Sequence, residues 1–445
     1  MNEVQNTPRA VSDRLKQVIR TIGLVLIIVG APLTINLLCI LPLVSFSVGG
    51  GDIVYFGVAS LTLATLTLGA GMAAYWHASR SLSGISSRPL RFPPTMLLIG
   101  VFVFLVGLGA SVVAFDTAAG ILFPLVLLAA AALPPLWAVA WMIPRAKPSA
   151  EGEAGAADQA SLSLRRGLLA FAGGATLSVF IAIVLEILLP VTVFALIFNL
   201  AENVSVQIES LFRALSSRDV AQALTNRGFI YLFVQIAVIA PLAEEIAKPL
   251  VVLPLVRHLN KQQTFWIGAL AGAGFAALEN VIYAMGGFAI WAGILAVRAI
   301  GGALHPLGSG LVAQGWRDVM LGNKEAGKNW WKRFGLAVIV HAAWNGGSLL
   351  VITLGGARFF GDLPSEIDIL GLSAAGTTLA FLVILGLAAL WIGRAYGHDQ
   401  PFLPAEGGEA EAGLVPSERA IALWAVACLI AIVPAGIAGL KLWLR

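Results

Sequence analysis

The chain has 445 residues, 58% of them hydrophobic and only 12% charged, with a mean hydropathy of +0.88. A soluble domain carries about twice that share of charge, which excludes a water-soluble fold. The net charge of +4 requires no nucleic-acid partner, because basic loops beside membrane spans account for it.

Apolar stretches long enough to cross about 30 Å of hydrocarbon as helices recur along the chain. They predict an all-α, polytopic transmembrane helical bundle of about eleven spans. The spans fall near residues 20–46, 54–77, 96–115, 118–143, 168–199, 228–256, 264–286, 289–313, 334–355, 369–393 and 420–443. A polar, mildly basic N-terminal segment runs into the first span without a small-residue cleavage site, so that span reads as retained. Stretch 168–199 is too long for one straight span, and Glu186 and Pro190 predict a kink or an interfacial continuation. Segment 200–227 has mixed charge and reads as an amphipathic helix outside the membrane. Cys39 and Cys428 both lie in apolar runs, which leaves no disulfide framework.

Positive charge alternates with the spans. Arg80, Arg88 and Arg91 follow the second span, Arg145, Lys147, Arg165 and Arg166 the fourth, and Arg257 and Lys261 the sixth. Arg317, Lys324, Lys328, Lys332 and Arg333 follow the eighth. The positive-inside rule then predicts an integral membrane protein with its N-terminus in the cytoplasm. The hydrophilic stretches "PRAKPSAEGEAGAADQASLSLRR" and "GHDQPFLPAEGGEAEAGLVPSER" read as flexible linkers. They divide the chain into an N-terminal membrane region (1–145), a cytoplasmic linker (146–166), a membrane core (167–355) and a C-terminal region (356–445).

Ionisable groups within the apolar spans concentrate in that core. The sixth span carries Glu244, Glu245 and Lys248, and the seventh Glu279, Asn280 and Tyr283. The eighth carries Arg298 and His305, the ninth His341 and Asn345, with Glu186 on the fifth as an outlier. Each charge at mid-bilayer costs about 2.5–3.5 kcal/mol on insertion scales, so so many together imply a common purpose. Lys248 lies three and four residues beyond the two glutamates and can reach either, but one lysine neutralises only one carboxylate. A ruler of about 1.5 Å per residue puts these groups at compatible depths, which suggests one shared polar cavity. Arg298 can pair with Glu279 or with Glu186.

These groups suit hydrolysis. A desolvated glutamate can take a proton from water, while histidine and asparagine hydrogen-bond a tetrahedral intermediate. No serine or cysteine stands in a nucleophile motif, which favours attack by water. A metal is the rival route: His305, His341 and a glutamate could hold zinc, although no His-Glu-x-x-His spacing is present. The sequence therefore establishes no cofactor and leaves zinc open.

In order and spacing, "EEIAK", "GFAALENVIY", "RAIGGALHPLGSG" and "HAAWNGG" resemble the four motifs of PrsW-type intramembrane proteases. That family is similar at the superfamily level to the CAAX prenyl endopeptidases, the bacteriocin-immunity proteins and the scaffold subunit of γ-secretase. The resemblance covers roughly residues 228–350 and implies Glu244 and Glu245 as the catalytic pair, completed by Glu279, His305, His341 and Asn345. Lys248, Asn280, Tyr283 and Arg298 are the supporting residues. The lysine three positions after the second glutamate, and Glu279 where CAAX enzymes have histidine, disfavour cleavage of prenylated proteins. The implied activity is proteolysis of membrane-tethered proteins within the lipid bilayer, such as bacterial anti-sigma factors, and the localisation expected with this resemblance is a bacterial plasma membrane. A non-catalytic membrane scaffold with a buried polar core is the alternative reading. A proton-coupled transporter is a third, disfavoured by the lack of an evident internal repeat.

Overall fold

The computed structural model describes residues 13–45, 50–113, 116–144, 162–186, 224–256, 259–286, 288–359 and 369–398. In chain order the helices are α1 (Asp13–Ser45), α2 (Gly50–Leu82), α3 (Thr95–Val113) and α4 (Asp116–Met142). There follow α5 (Leu164–Glu186), α6 (Arg227–Leu250), α7 (Lys261–Gly286) and α8 (Trp291–Ile300). The last three are α9 (Leu304–Met320), α10 (Ala326–Phe359) and α11 (Ile369–His398). Among the described residues, the sole strand-like contact is an antiparallel bridge between Pro89 and Ser163. Among the described residues, eight helices are long and apolar enough to cross a membrane, or nine if the bent pair α8–α9 forms one span. The expected span 420–443, residues 145–161 of the linker, residues 200–223 and Pro190 lie outside the described residues.

Helix α7 is the centre of the bundle, with 89% of its span buried. Its glycines allow this. A Cβ at Gly272 would collide with the carbonyl of His305 on α9, and one at Gly274 with the carbonyl of Phe171 on α5. Small residues thus bring three backbones into direct contact, as membrane helix packing favours. The helix begins with a reciprocal cap: Asn260 Oδ1 accepts from Gln263 N at 2.7 Å and Gln263 Oε1 accepts from Asn260 N at 3.3 Å.

The sequence predicted one continuous span over 289–313, but the structure breaks it. Helices α8 and α9 meet at a 42° bend across Gly301–Ala303. Pro306 has no N–H to offer the Gly302 carbonyl, so the ladder is interrupted there. Short-range bonds fill the gap, from Gly302 N to Ala299 O at 3.3 Å and from Leu304 N to Gly301 O at 3.0 Å. In stretch 168–199, a π-helical segment at Gly174–Ser178 interrupts α5. A second one, Gln235–Ile239, interrupts α6 one residue before the site's own segment.

Candidate active site

The π segment of α6 aims the glutamates. In its register Ala240 N donates to Gln235 O, so the Ile236 carbonyl would look to the N–H of residue 241. That residue is Pro241, which has none. The orphaned carbonyl is taken up instead by Asn345 Nδ2 of α10, at 3.0 Å. Thus Asn345, expected to serve the reaction directly, is committed through its amide to the helix that carries Glu244 and Glu245.

Beyond this segment, Glu244, Glu245 and Lys248 are all buried, and Lys248 is fully enclosed. Lys248 Nζ lies 2.9 Å from Glu244 Oε2 and 2.8 Å from Glu245 Oε1, bonding to the latter. It sits 4.6 Å from the centroid of the Phe275 ring. Its backbone carbonyl, in the last turn of α6, accepts the hydroxyl of Ser178 at 3.2 Å. The ammonium is therefore held from α6 itself and from α7.

Each histidine is oriented by a carboxylate. His341 Nδ1 lies 3.0 Å from Glu245 Oε1, and His305 Nε2 lies 3.0 Å from Glu279 Oε2. Glu279 is itself ion-paired to Arg298, whose Nε donates to Asn280 Oδ1 at 2.7 Å. Asn280 Nδ2 in turn donates to the Ala131 carbonyl of α4 at 2.8 Å, and Arg298 lies 4.9 Å from the centroid of the Tyr283 ring. Of its two possible partners, Arg298 thus takes Glu279. An ionised carboxylate only accepts, so a proton belongs on His341 Nδ1; His305 Nε2 faces both an acceptor, Glu279 Oε2, and a donor, Arg298 Nη2 at 3.2 Å, and its bond to Glu279 requires the proton on Nε2. This leaves lone pairs on His341 Nε2 and His305 Nδ1.

Both lone pairs face one oxygen. Glu244 Oε2 lies 3.7 Å from His341 Nε2 and 3.8 Å from His305 Nδ1. The two histidine nitrogens make no hydrogen bond, and Glu244 Oε2 has only the Lys248 ammonium beside it, at 2.9 Å. Buried polar atoms left without such bonds cost about 1–3 kcal/mol each. The three residues offer ligand atoms within 4.8 Å of one another, and carboxylate-oriented histidines are the usual support of metal ligands. Two imidazoles and one carboxylate suit zinc with a fourth position open. The donor set fits a divalent metal.

Glu245 Oε2 also has no hydrogen-bond partner, and it lies in space that only a glycine leaves: a Cβ at Gly308 would come within 2.6 Å of it. Phe275 stacks on His305 at 5.9 Å between ring centroids. Sequence reasoning missed both Gly308 and Phe275. Phe275 was within reach of it, since it precedes Glu279 by one helical turn, whereas nothing local marked Gly308 among its neighbouring glycines. Glu186 lies at the end of the described part of α5, and its backbone carbonyl accepts from Gln235 Nε2 at 3.4 Å.

Fold and site together define an integral, polytopic helical membrane protein with a buried two-histidine, one-glutamate cluster. Residues 163–363 match the family described as PrsW family intramembrane metalloprotease. The matched segment contains every polar residue of the cluster. No curated protein and no solved structure matches the chain.

Proposed function

We propose that the protein is an intramembrane endopeptidase that hydrolyses a peptide bond of membrane-tethered protein substrates. The observation that carries this reading is the convergence of His305 Nδ1 and His341 Nε2, both buried and without hydrogen bonds, on Glu244 Oε2. These three residues would hold the metal. A bound divalent cation supplies Lewis-acid polarisation of the scissile carbonyl and a water acidic enough to attack near neutral pH.

The protein's own residues divide the remaining work. Glu245 is the general base: its Oε2 accepts a proton from the attacking water and returns it to the departing amine nitrogen. Lys248 and the Nδ1–H of His341 hold its other oxygen, which keeps the base oriented. Glu279, held by Arg298, which Asn280 holds in turn, orients His305 through Nε2. Asn345 supports the site through the Ile236 carbonyl. The alternation of basic loops favours a cytoplasmic N-terminus.

The test compares membrane proteomes of cells producing the wild type, Glu245→Gln or His341→Ala. A single-span protein identified in this way is then cleaved in proteoliposomes. Full-length substrate should accumulate in both variants, with turnover reduced about 100-fold or more on loss of the base. Glu245→Gln should still bind metal, whereas His341→Ala should not. Undiminished cleavage by both variants would refute the proposal.

A further inference from the structure

A second polar cavity, of about 380 Å³, lies away from the Glu–His cluster, where the end of α2 meets the start of α5. Its volume falls within the range of small-molecule sites, about 300–1,000 Å³. His77, Ser81, Ser87, Ser163, Arg165 and Arg166 line it, with no acidic residue in its wall.

Arg165 is 5% exposed. Its guanidinium is held by neutral acceptors: the His77 carbonyl at 3.3 Å, Ser81 Oγ at 3.2 Å and the Ile85 carbonyl. Its Nε has no hydrogen-bond partner, nor has the buried His77 Nδ1. Among the described residues no carboxylate pairs with Arg165, and the charges that act on it, those of Arg80 and Arg166, are both positive. The Arg166 side chain has no hydrogen bond or ion pair with any described residue. A buried cation without a counter-charge is costly, so the arrangement calls for an anion.

The α5 terminus adds a favourable dipole, but its first-turn N–H groups are already engaged. Leu164 N donates to Arg88 O, Arg165 N to Ser87 Oγ and Arg166 N to Ser163 Oγ. The side chains must therefore hold the ligand. The donors left free are Arg165 Nε–H and one Nη2–H, the Arg166 guanidinium and the Ser81 and Ser163 hydroxyls, more than a two-oxygen carboxylate can use, and they suit a phosphate. The cavity also sits where the α5 span begins, beside the basic residues Arg165 and Arg166.

We propose that this cavity is a binding site for a phosphate group, carried either by an anionic phospholipid headgroup or by free phosphate. The site is independent of the Glu–His cluster and of the protease reading.

Two measurements on the full-length protein test it. Thermal unfolding in detergent is followed against inorganic phosphate at constant ionic strength. Native mass spectrometry then compares retention of phosphatidylglycerol with that of phosphatidylcholine. Saturable stabilisation by phosphate identifies the free anion as a ligand; selective phosphatidylglycerol adducts without it identify the headgroup. In either case Arg166→Gln should weaken binding by about tenfold or more, the loss expected for a charge-assisted hydrogen bond. Arg166→Gln is the primary variant because Arg165 also ties α2 to the following loop, so Arg165→Gln can fail by misfolding. The absence of saturable binding in both measurements overturns the site, whether or not the chain's own acidic segment around Glu151 and Glu153 fills the cavity. Binding that Arg166→Gln leaves unchanged overturns it equally.

Discussion

His305 Nε2 lies 3.0 Å from Glu279 Oε2, while the other ring nitrogen, Nδ1, faces Glu244 Oε2 at 3.8 Å. Glu279 would therefore act on a bound metal through the histidine. Glu279→Gln should weaken metal affinity by about 10–100-fold, as expected for loss of a supporting carboxylate. His305→Ala should abolish stoichiometric binding. Metal content after dialysis against graded chelator concentrations distinguishes the two, and equal retention by wild type and Glu279→Gln would remove the orienting role.

Chelation should stop proteolysis while leaving the protein folded. Helix α7 and its glycine contacts hold the bundle without reference to the cluster. Helicity by circular dichroism should be unchanged in the apoprotein, and zinc should restore cleavage. Cleavage that persists with no bound metal would show that the glutamates suffice.

Asn345→Ala should leave the Ile236 carbonyl unsatisfied in a segment where Pro241 cannot help. The expected loss of stability is about 1–3 kcal/mol, read from denaturant unfolding in micelles. Asn345→Asp offers no amide donor when ionised and should not rescue it. If Asn345→Ala matches the wild type in stability but loses turnover, the residue serves the reaction directly.

Gly308→Ala probes the space around the base. The added methyl would come within 2.6 Å of Glu245 Oε2 and 3.3 Å of the Ala337 Cβ, so the carboxylate must move. Turnover should fall by as much as about 100-fold, the penalty that a displacement of 1 Å can carry. Metal content should remain near that of the wild type, since Glu244, His305 and His341 are not displaced directly. Loss of metal in this variant would place Glu245 among the ligands.

Lys248→Met should be the most damaging of these changes to folding. It would leave Glu244 and Glu245 adjacent and buried without their shared cation. Breaking a buried pair in this way costs about 3–5 kcal/mol. The yield of folded protein in membranes, measured by size-exclusion profile, should collapse; a well-folded Lys248→Met protein would show that the carboxylates find another counter-charge.

The membrane class was legible from sequence because lipid leaves little choice: an apolar run must satisfy its own backbone as a helix. The grouping of Glu244, Glu245 and Lys248 was legible because it lies within one helical turn. The sequence also marked Glu279, His305 and His341 as costly residues to bury, and so brought every member of the candidate metal cluster under suspicion. It could not say which histidine nitrogen is free, that Arg298 takes Glu279 rather than Glu186, or that the Asn345 amide belongs to Ile236. Those outcomes depend on the rotation and depth of helices set by distant contacts, such as Gly272 against the His305 backbone. The break between α8 and α9 and the π segments also arise where proline removes a donor or neighbouring helices crowd the ladder. Side chains within one turn meet by the helix's own period; side chains on four helices meet only where tertiary packing puts them.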